Sequence, residues 1–424
     1  MNTFALIFLI ALAISVAMRL WLARRHVAHI QAHRAAVPRE FAGEISLEAH
    51  QKAADYSTAR TGLSAVHAAF DAIVLLALTF GGVLQFFAAW SGSWFSGPLL
   101  QGGALIALYV VVTSALDLPF SYYRTFNIEA RFGFNKMTRA MWIADLAKHG
   151  AVACALAVPL VLAVLWLMRA AGEYWWVYVW LVWTGFSLLV MAIYPAFIAP
   201  LFNKFSPMQE GSLKARIEQL LTKCGFKSSG LFVMDGSRRS SHGNAYFTGF
   251  GKTKRIVFFD TLISRLDEDE VEAVLAHELG HFKLHHVIRR MAWTFVVSLA
   301  FLALLGYLKD KPWFYEGLGV RFPASDAMAL ILFTLAVPVF TFLLHPLIAM
   351  YSRKHEFEAD AYAARYSSAR KLVDALVKLY KDNASTLTPD PVHSAFYDSH
   401  PPARIRIEKL QSHAPNAPMK PSPS

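Results

Sequence analysis

Two histidines four residues apart, with a glutamate directly after the first, gather metal-binding and acid–base groups into one short stretch, His277-Glu278-Leu279-Gly280-His281. On a helix, residues four apart share a face, so both imidazoles can turn a nitrogen to one ion, at about 2.0–2.1 Å if that ion is zinc. Glu278, beside them, can hold a water on the ion and take its proton, while zinc lowers that water's pKa to about 7 and polarises a scissile carbonyl. A catalytic zinc takes three protein ligands and keeps one position open. Glu356 and Asp360 are candidates for the third, within Ser352-Arg353-Lys354-His355-Glu356-Phe357-Glu358-Ala359-Asp360. One carboxylate could bind the metal while the other accepts a ligand histidine's N–H and fixes its tautomer. Read without that context, the same run is an exposed helix on which Glu356, Glu358 and Asp360 pair with Arg353 and Lys354.

These residues need elements to hold them. Asp267 and Glu270 form a capping-box-like start for a helix through His277 and His281, which the pattern continues into the next apolar run. Upstream, Ser212 to Cys224 reads as an amphipathic helix ended by Gly225, and Leu231–Met234 as a short strand. Residues 245–249 and 255–259 read as a hairpin turning through Gly251-Lys252-Thr253-Lys254. Its outer strand, Asn244, Ala245, Tyr246 and Phe247, offers an edge on which an extended peptide could pair. His285 and His286 read as surface or interfacial residues rather than further ligands.

The setting is a membrane. The 424-residue chain is 55% hydrophobic, and nearly uncharged runs long enough for a hydrocarbon core of about 30 Å fall at 3–22, 66–90, 99–120, 149–170, 174–200, 291–308 and 327–350. The first run has no basic residue before it and no small-residue cleavage site after it, so it reads as a retained anchor. Arg19, Arg24 and Arg25 follow it, which puts Met1 outside and the next loop in the cytoplasm; threading on places Arg124, Arg131, Lys136, Arg139 and the segment 206–287 inside. The net charge of +11 then belongs to cytoplasmic loops facing anionic lipid, not to nucleic acid. Cys154 and Cys224 form no disulfide framework. Asp71 and Asp117 lie within spans and must face protein or water. Trp175, Trp176 and Trp180 read as interfacial anchors. The fold class is mainly α and integral to the membrane, with a membrane region over 1–205, a catalytic region over 206–410 containing spans six and seven, and a disordered tail over 411–424 rich in Pro and Ser.

The H-E-L-G-H and S-R-K-H-E-F-E-A-D-A-Y-A stretches together resemble the type I CAAX prenyl protease family, membrane gluzincins that trim prenylated C-termini. Further stretches carry the resemblance across most of the chain: Phe126-Asn127-Ile128-Glu129 through Phe134-Asn135-Lys136, Pro200-Leu201-Phe202-Asn203-Lys204-Phe205, Asn244-Ala245-Tyr246-Phe247 and Ser399-His400-Pro401-Pro402. The resemblance implies one zinc ion per chain on His277, His281 and Glu356, Glu278 as base, and Asp360 behind the ligands. It also implies Asn244 beside the cleft, His400 and Arg406 near the reacting carbonyl, and seven helices enclosing a water-filled chamber capped by the zinc site. The expected partners are membrane lipid and a peptide or protein substrate, including one with a lipidated C-terminus, with no obligate protein partner. The Ala-rich composition points to a bacterial member, in the inner membrane; a eukaryotic one would sit in the endoplasmic reticulum. Three other readings compete. A quality-control protease acting on unmodified or misfolded substrates would share the zinc motifs, whereas an intramembrane site-2-type protease would need an apolar motif helix, and this one is flanked by Asp267, Glu272, Lys283 and Arg289. A scaffold or transporter with a relic metal site would have no need of Glu278.

Overall fold

The computed structural model describes residues 2–226, 228–248 and 255–413. Its first part is helical: α1 (Thr3–Ala32), α2 (Leu47–Leu78), the short α3 (Val83–Trp94), α4 (Pro98–Tyr123), α5 (Arg139–Ala170) and α6 (Trp175–Ile193). Side-chain caps start several of them, with Asn2, Ser46 and Thr138 each accepting a first-turn amide. Among the described residues all of these but α3, with two later helical stretches, make seven that are long and apolar enough to cross a membrane. The second span departs from the expected 66–90. Its helix begins at Leu47, as a polar stub that hydropathy averaging misses, and ends at Leu78 before Gly82 takes a φ of 75°. Glycine alone adopts that left-handed backbone without cost, so the apolar run is two helices rather than one.

Beyond residue 204 come β1 (Phe205–Pro207), α7 (Ser212–Lys223), β2 (Leu231–Met234), β3 (Ala245–Thr248) and β4 (Arg255–Phe259). The sheet order is β1-β2-β4-β3, with β2 and β4 parallel and the outer pairs antiparallel. The hairpin strands pair as expected, Ala245 against Phe258 and Phe247 against Ile256; the turn residues 251–254 lie outside the described residues. Then follow α8 (Asp260–Ile263), α9 (Glu268–Lys283), α10 (His286–Leu308), α11 (Pro312–Glu316), α12 (Asp326–Thr341), α13 (His345–Tyr366), α14 (Ala369–Asp382), α15 (Pro391–Tyr397) and α16 (Ala403–His413). A single 3-10 turn, Phe342–Leu344, joins α12 to α13, so the last span does run on into the polar helix. The motif helix does not. His285 takes a φ of 59° and separates α9 from α10, a turn of direction with no glycine to announce it. Of the expected disordered tail, residues 411–413 complete α16, and 414–424 lie outside the described residues.

Two large apolar clusters organise the chain. One, around Phe8, Leu84, Leu105, Phe314 and Leu332, binds the membrane helices; the other, around Ile217, Ile256, Phe258, Leu275, Leu279 and Leu372, packs α7, the sheet, α9 and α14. Trp175 belongs to the first cluster, 2% exposed, rather than anchoring at the interface. Trp176 lies against Gly306, and Trp180 donates to the Phe295 carbonyl at 2.9 Å. These tryptophans pack between helices because α6 lies along α10.

The two ends of the helices carry different company. At one end Asn2 donates to the Trp313 carbonyl and the Arg321 amide to Gln85. At the other, the membrane helices hold the catalytic region. Arg25 pairs with the buried Asp390, Arg239 forks onto Asp145 of α5 at 2.9 and 3.1 Å, and Phe41 and Ile45 pack with Val377 and Ile407. Within the spans, Asp71 and Asp117 both face His67, at 3.3 and 3.0 Å, as charges so placed require.

Candidate metal centre

The motif helix is set from its first turn. Asp267 and Glu270 form a true capping box: the Asp267 amide donates to Glu270 at 2.8 Å and the Glu270 amide to Asp267 at 2.9 Å. Such caps contribute about 1 kcal/mol. Glu270 is buried and also takes Lys378 of α14, which ties the cap to the body of the domain. Val271, Leu275 and Leu279 then bury one face of α9 in the core, which leaves His277 and His281 to face α13.

How close the two helices come is decided at Gly280. A methyl group there would meet Ala359 Cα at 3.0 Å and Tyr362 Cβ at 3.1 Å, below ordinary van der Waals contact. With only hydrogen at that position, α13 lies against α9 and presents Glu356 and Asp360 on one face. Both are at least 95% buried, which removes the reading of this run as a solvated helix. Glu358 alone of the three is partly open, and Lys354 lies 3.9 Å from it.

The geometry converges on one point. His277 Nε2 and His281 Nε2 are 3.2 Å apart, Glu356 Oε2 lies 3.5 Å from the first, and Glu356 Oε1 lies 3.3 Å from the second. Among the described residues Glu356 Oε2 is a buried acceptor with no hydrogen-bond donor, and the two ring nitrogens face each other. Buried polar groups left so are costly, and a divalent ion with two nitrogen ligands and one carboxylate would satisfy all three. The residues therefore fit a metal. Burial opposes charge on His277, but Asp360 and Glu356 outweigh it and bring the metal-free ring up to about 9. Glu278, half-buried beside the pair, is pushed up by burial against the pull of His277 and His281.

Around this point stand the remaining residues. Asp360 Oδ1 is 2.9 Å from His277 Nδ1, and the same carboxylate takes the Arg406 fork at 2.9 and 2.6 Å. The fork is thereby committed, and only Nη1 faces Glu356, at 3.8 Å. Arg406 is placed to hold Asp360, so its reach to a reacting carbonyl is less than its proximity suggests. His400, between α15 and α16, brings Nε2 within 3.4 Å of Glu356 and keeps 61% of its side chain exposed. Partial loss of solvation holds its pKa below the ordinary value despite the pull of Glu356.

At the head of β3, Asn244 is exposed and folds its side-chain carbonyl onto the Ala245 amide at 2.8 Å. Ala245 is buried, Phe247 packs on Phe226 and Phe282, and Tyr246 turns to the opposite face toward Phe259. Among the described residues no strand pairs with the outer edge of β3, the last strand in the sheet, whereas two of its side chains belong to the core.

One residue next to the centre was missed in the sequence. His286 is not a surface histidine: it is 3% exposed, with Nδ1 3.0 Å from His281 Nδ1 and Nε2 2.9 Å from Glu358. On a continuous helix it would point away from His281; the left-handed turn at His285 brings it back.

Comparisons with known proteins follow the same division. Residues 26–204 match the family described as CAAX prenyl protease N-terminal, five membrane helices, and residues 207–414 match peptidase family M48. The CAAX prenyl protease 1 homolog of Arabidopsis thaliana is 38% identical over 385 residues, covering 88% of this chain and 90% of its own. CAAX prenyl protease 1 of Saccharomyces cerevisiae is 36% identical, covering 73% of this chain and 72% of its own. The crystal structure of S. mikatae Ste24p superposes with a TM-score of 0.91 at 29% identity, covering 97% of this chain and 99% of that one.

Proposed function

This chain belongs to the CAAX prenyl protease branch of peptidase family M48, and from that membership we propose that His277, His281 and Glu356 hold one zinc ion used to cleave the C-termini of prenylated proteins. It is an integral membrane metalloprotease with a Ste24p-like fold enclosing a membrane chamber, and its substrate is a peptide or protein. The observation that carries the zinc assignment is the donorless Glu356 Oε2 turned toward the facing His277 and His281 nitrogens.

Bound there, zinc would supply the Lewis acidity that activates water and polarises the scissile carbonyl. The chain's own groups do the rest. Glu278, with its affinity for a proton raised by burial, takes the water's proton and passes it to the leaving amine. Asp360 fixes His277 by its Nδ1, and Arg406 holds Asp360 in place. His400, its pKa lowered by desolvation and its side chain open on one side, can donate Nε2–H to the developing oxyanion, a contribution worth about 3–4 kcal/mol in comparable sites. An extended peptide adds to the edge of β3, led in by Asn244. The basic loops and the catalytic region lie at the same end of the helices, which supports an active site facing the cytoplasm and an outward N-terminus.

The test is Glu278→Gln beside wild type on a quenched peptide, with and without chelator. The variant should lose about 10²–10⁴-fold in kcat while keeping its metal; equal cleavage by the two proteins sinks the mechanism. Comparing a farnesylated peptide with its unmodified twin addresses the substrate. Equal kcat/KM for both would move the reading to quality control of unmodified proteins.

A further inference from the structure

The two histidines of the motif are buttressed differently. His277 has a carboxylate directly behind it, Asp360, at 2.9 Å. Behind His281 stands another imidazole: His281 Nδ1 and His286 Nδ1 are 3.0 Å apart, and the far nitrogen of His286, Nε2, is 2.9 Å from Glu358 Oε2. A carboxylate only accepts, so His286 Nε2 carries the proton. In a neutral ring that leaves Nδ1 as the acceptor. His281 Nδ1 must then be the donor, which leaves the His281 Nε2 lone pair pointing toward Glu356 and His277. With the His286 ring neutral, the tautomer of each ring in the row follows from the acceptor that Glu358 provides at its end.

The row is also held mechanically. His286 is 3% exposed, and its ring lies flat on His355, centroids 4.0 Å apart and planes 7° from parallel, with Tyr351 edge-on to His355. We propose that His286 and Glu358 are positioning residues that fix the tautomer and orientation of His281 through a carboxylate–imidazole–imidazole relay. This rests on the zinc reading of His277, His281 and Glu356. The same helix, α13, supplies the ligand Glu356 and, two residues on, the relay's terminal acceptor Glu358, so ligand and support move together. His286, His355 and Glu358 also form a group close enough to hold an ion of their own. With the two rings parallel, however, their lone pairs do not converge, and the relay uses the contacts as they stand.

The experiment measures zinc and cobalt affinity of the full-length detergent-solubilised protein by competition with a chromophoric chelator, together with the visible spectrum of the cobalt form. His286→Phe keeps the stack but removes the acceptor; it should weaken metal binding about 10–100-fold and shift the cobalt bands. His286→Asn offers a side-chain oxygen near the Nδ1 position and should recover most of that loss, which a purely structural role would not allow. Glu358→Gln, which still accepts from Nε2–H, should cost only a few-fold and gives a reading even if His286→Phe does not fold. Wild-type affinity in His286→Phe, no recovery in His286→Asn, or two zinc ions per wild-type chain would overturn the relay. Failure of the zinc reading itself looks different: wild type would bind no zinc, or Glu356→Ala would bind as tightly as wild type.

Discussion

Three trios of ligating side chains occur among the described residues, and two of them are chemically alike on paper. His277, His281 and Glu356 form one; His67, Asp71 and Asp117, within the spans, form the other. In the membrane trio the single His67 Nε2 serves both carboxylates, at 3.3 and 3.0 Å, and both carboxylates are about 60% exposed. Its ring stacks on Phe120 and its donor is used. In the other trio two ring nitrogens face each other and a buried carboxylate oxygen has no donor among the described residues. Proximity gathers ligands; only buried groups that leave one another unsatisfied in a fixed setting ask for an ion. The difference lies in the helix crossing at Gly280, which drives Glu356 inward, whereas α2 and α4 leave their acids open.

The contrast can be broken most sharply by deleting a ligand from each trio. Glu356→Ala should abolish both stoichiometric zinc by elemental analysis and peptide cleavage. Next comes Gly280→Ala. Overpacking against Ala359 should cost about 1–3 kcal/mol and lower the thermal midpoint, with weaker zinc binding as α13 is displaced. Acidity should also affect the catalytic trio. Because the metal-free His277 ring titrates at about 9, an incoming ion must expel a proton below that pH, so zinc affinity should climb with pH and level off above about 9. The sign for the metal-free protein is the reverse. A raised folded-state value means stability present below about 6.5 and lost as pH rises through about 9, readable as a falling melting temperature that His277→Gln flattens. Smallest of all, Asp117→Asn should leave zinc at one per chain and its affinity unchanged; a loss of zinc there would make the two trios equivalent after all.

How much of this could be read from residues alone divides along physical lines. Periodicity placed His277 and His281 on one helical face, and the Asp267 and Glu270 cap was legible because its partners are three residues apart. The proposed third ligand was not: spacing left Glu356 and Asp360 interchangeable, and what favours Glu356 is that Arg406 and His277 Nδ1 both claim Asp360, a contact between distant parts of the chain. Hydropathy counted seven spans but misplaced the second, because averaging blurs the break at Gly82 and ignores the polar stub of α2. His286 was misread because a left-handed histidine at 285 carries no signature in composition, and everything that follows it is rotated away from the helical register.

The seams between membrane helices and catalytic region bear on divisibility. Arg25 with Asp390, Asp145 with Arg239, and Phe41 and Ile45 with Val377 and Ile407 all bridge residue 205. Tyr56 and Glu129 continue the seam to His242, two residues ahead of Asn244. Severed there, the C-terminal piece would carry Asp390 and Arg239 stripped of their countercharges and an apolar face turned to water. The soluble-looking half is thus a tenant of the membrane half, and its autonomy ends where its salt bridges begin.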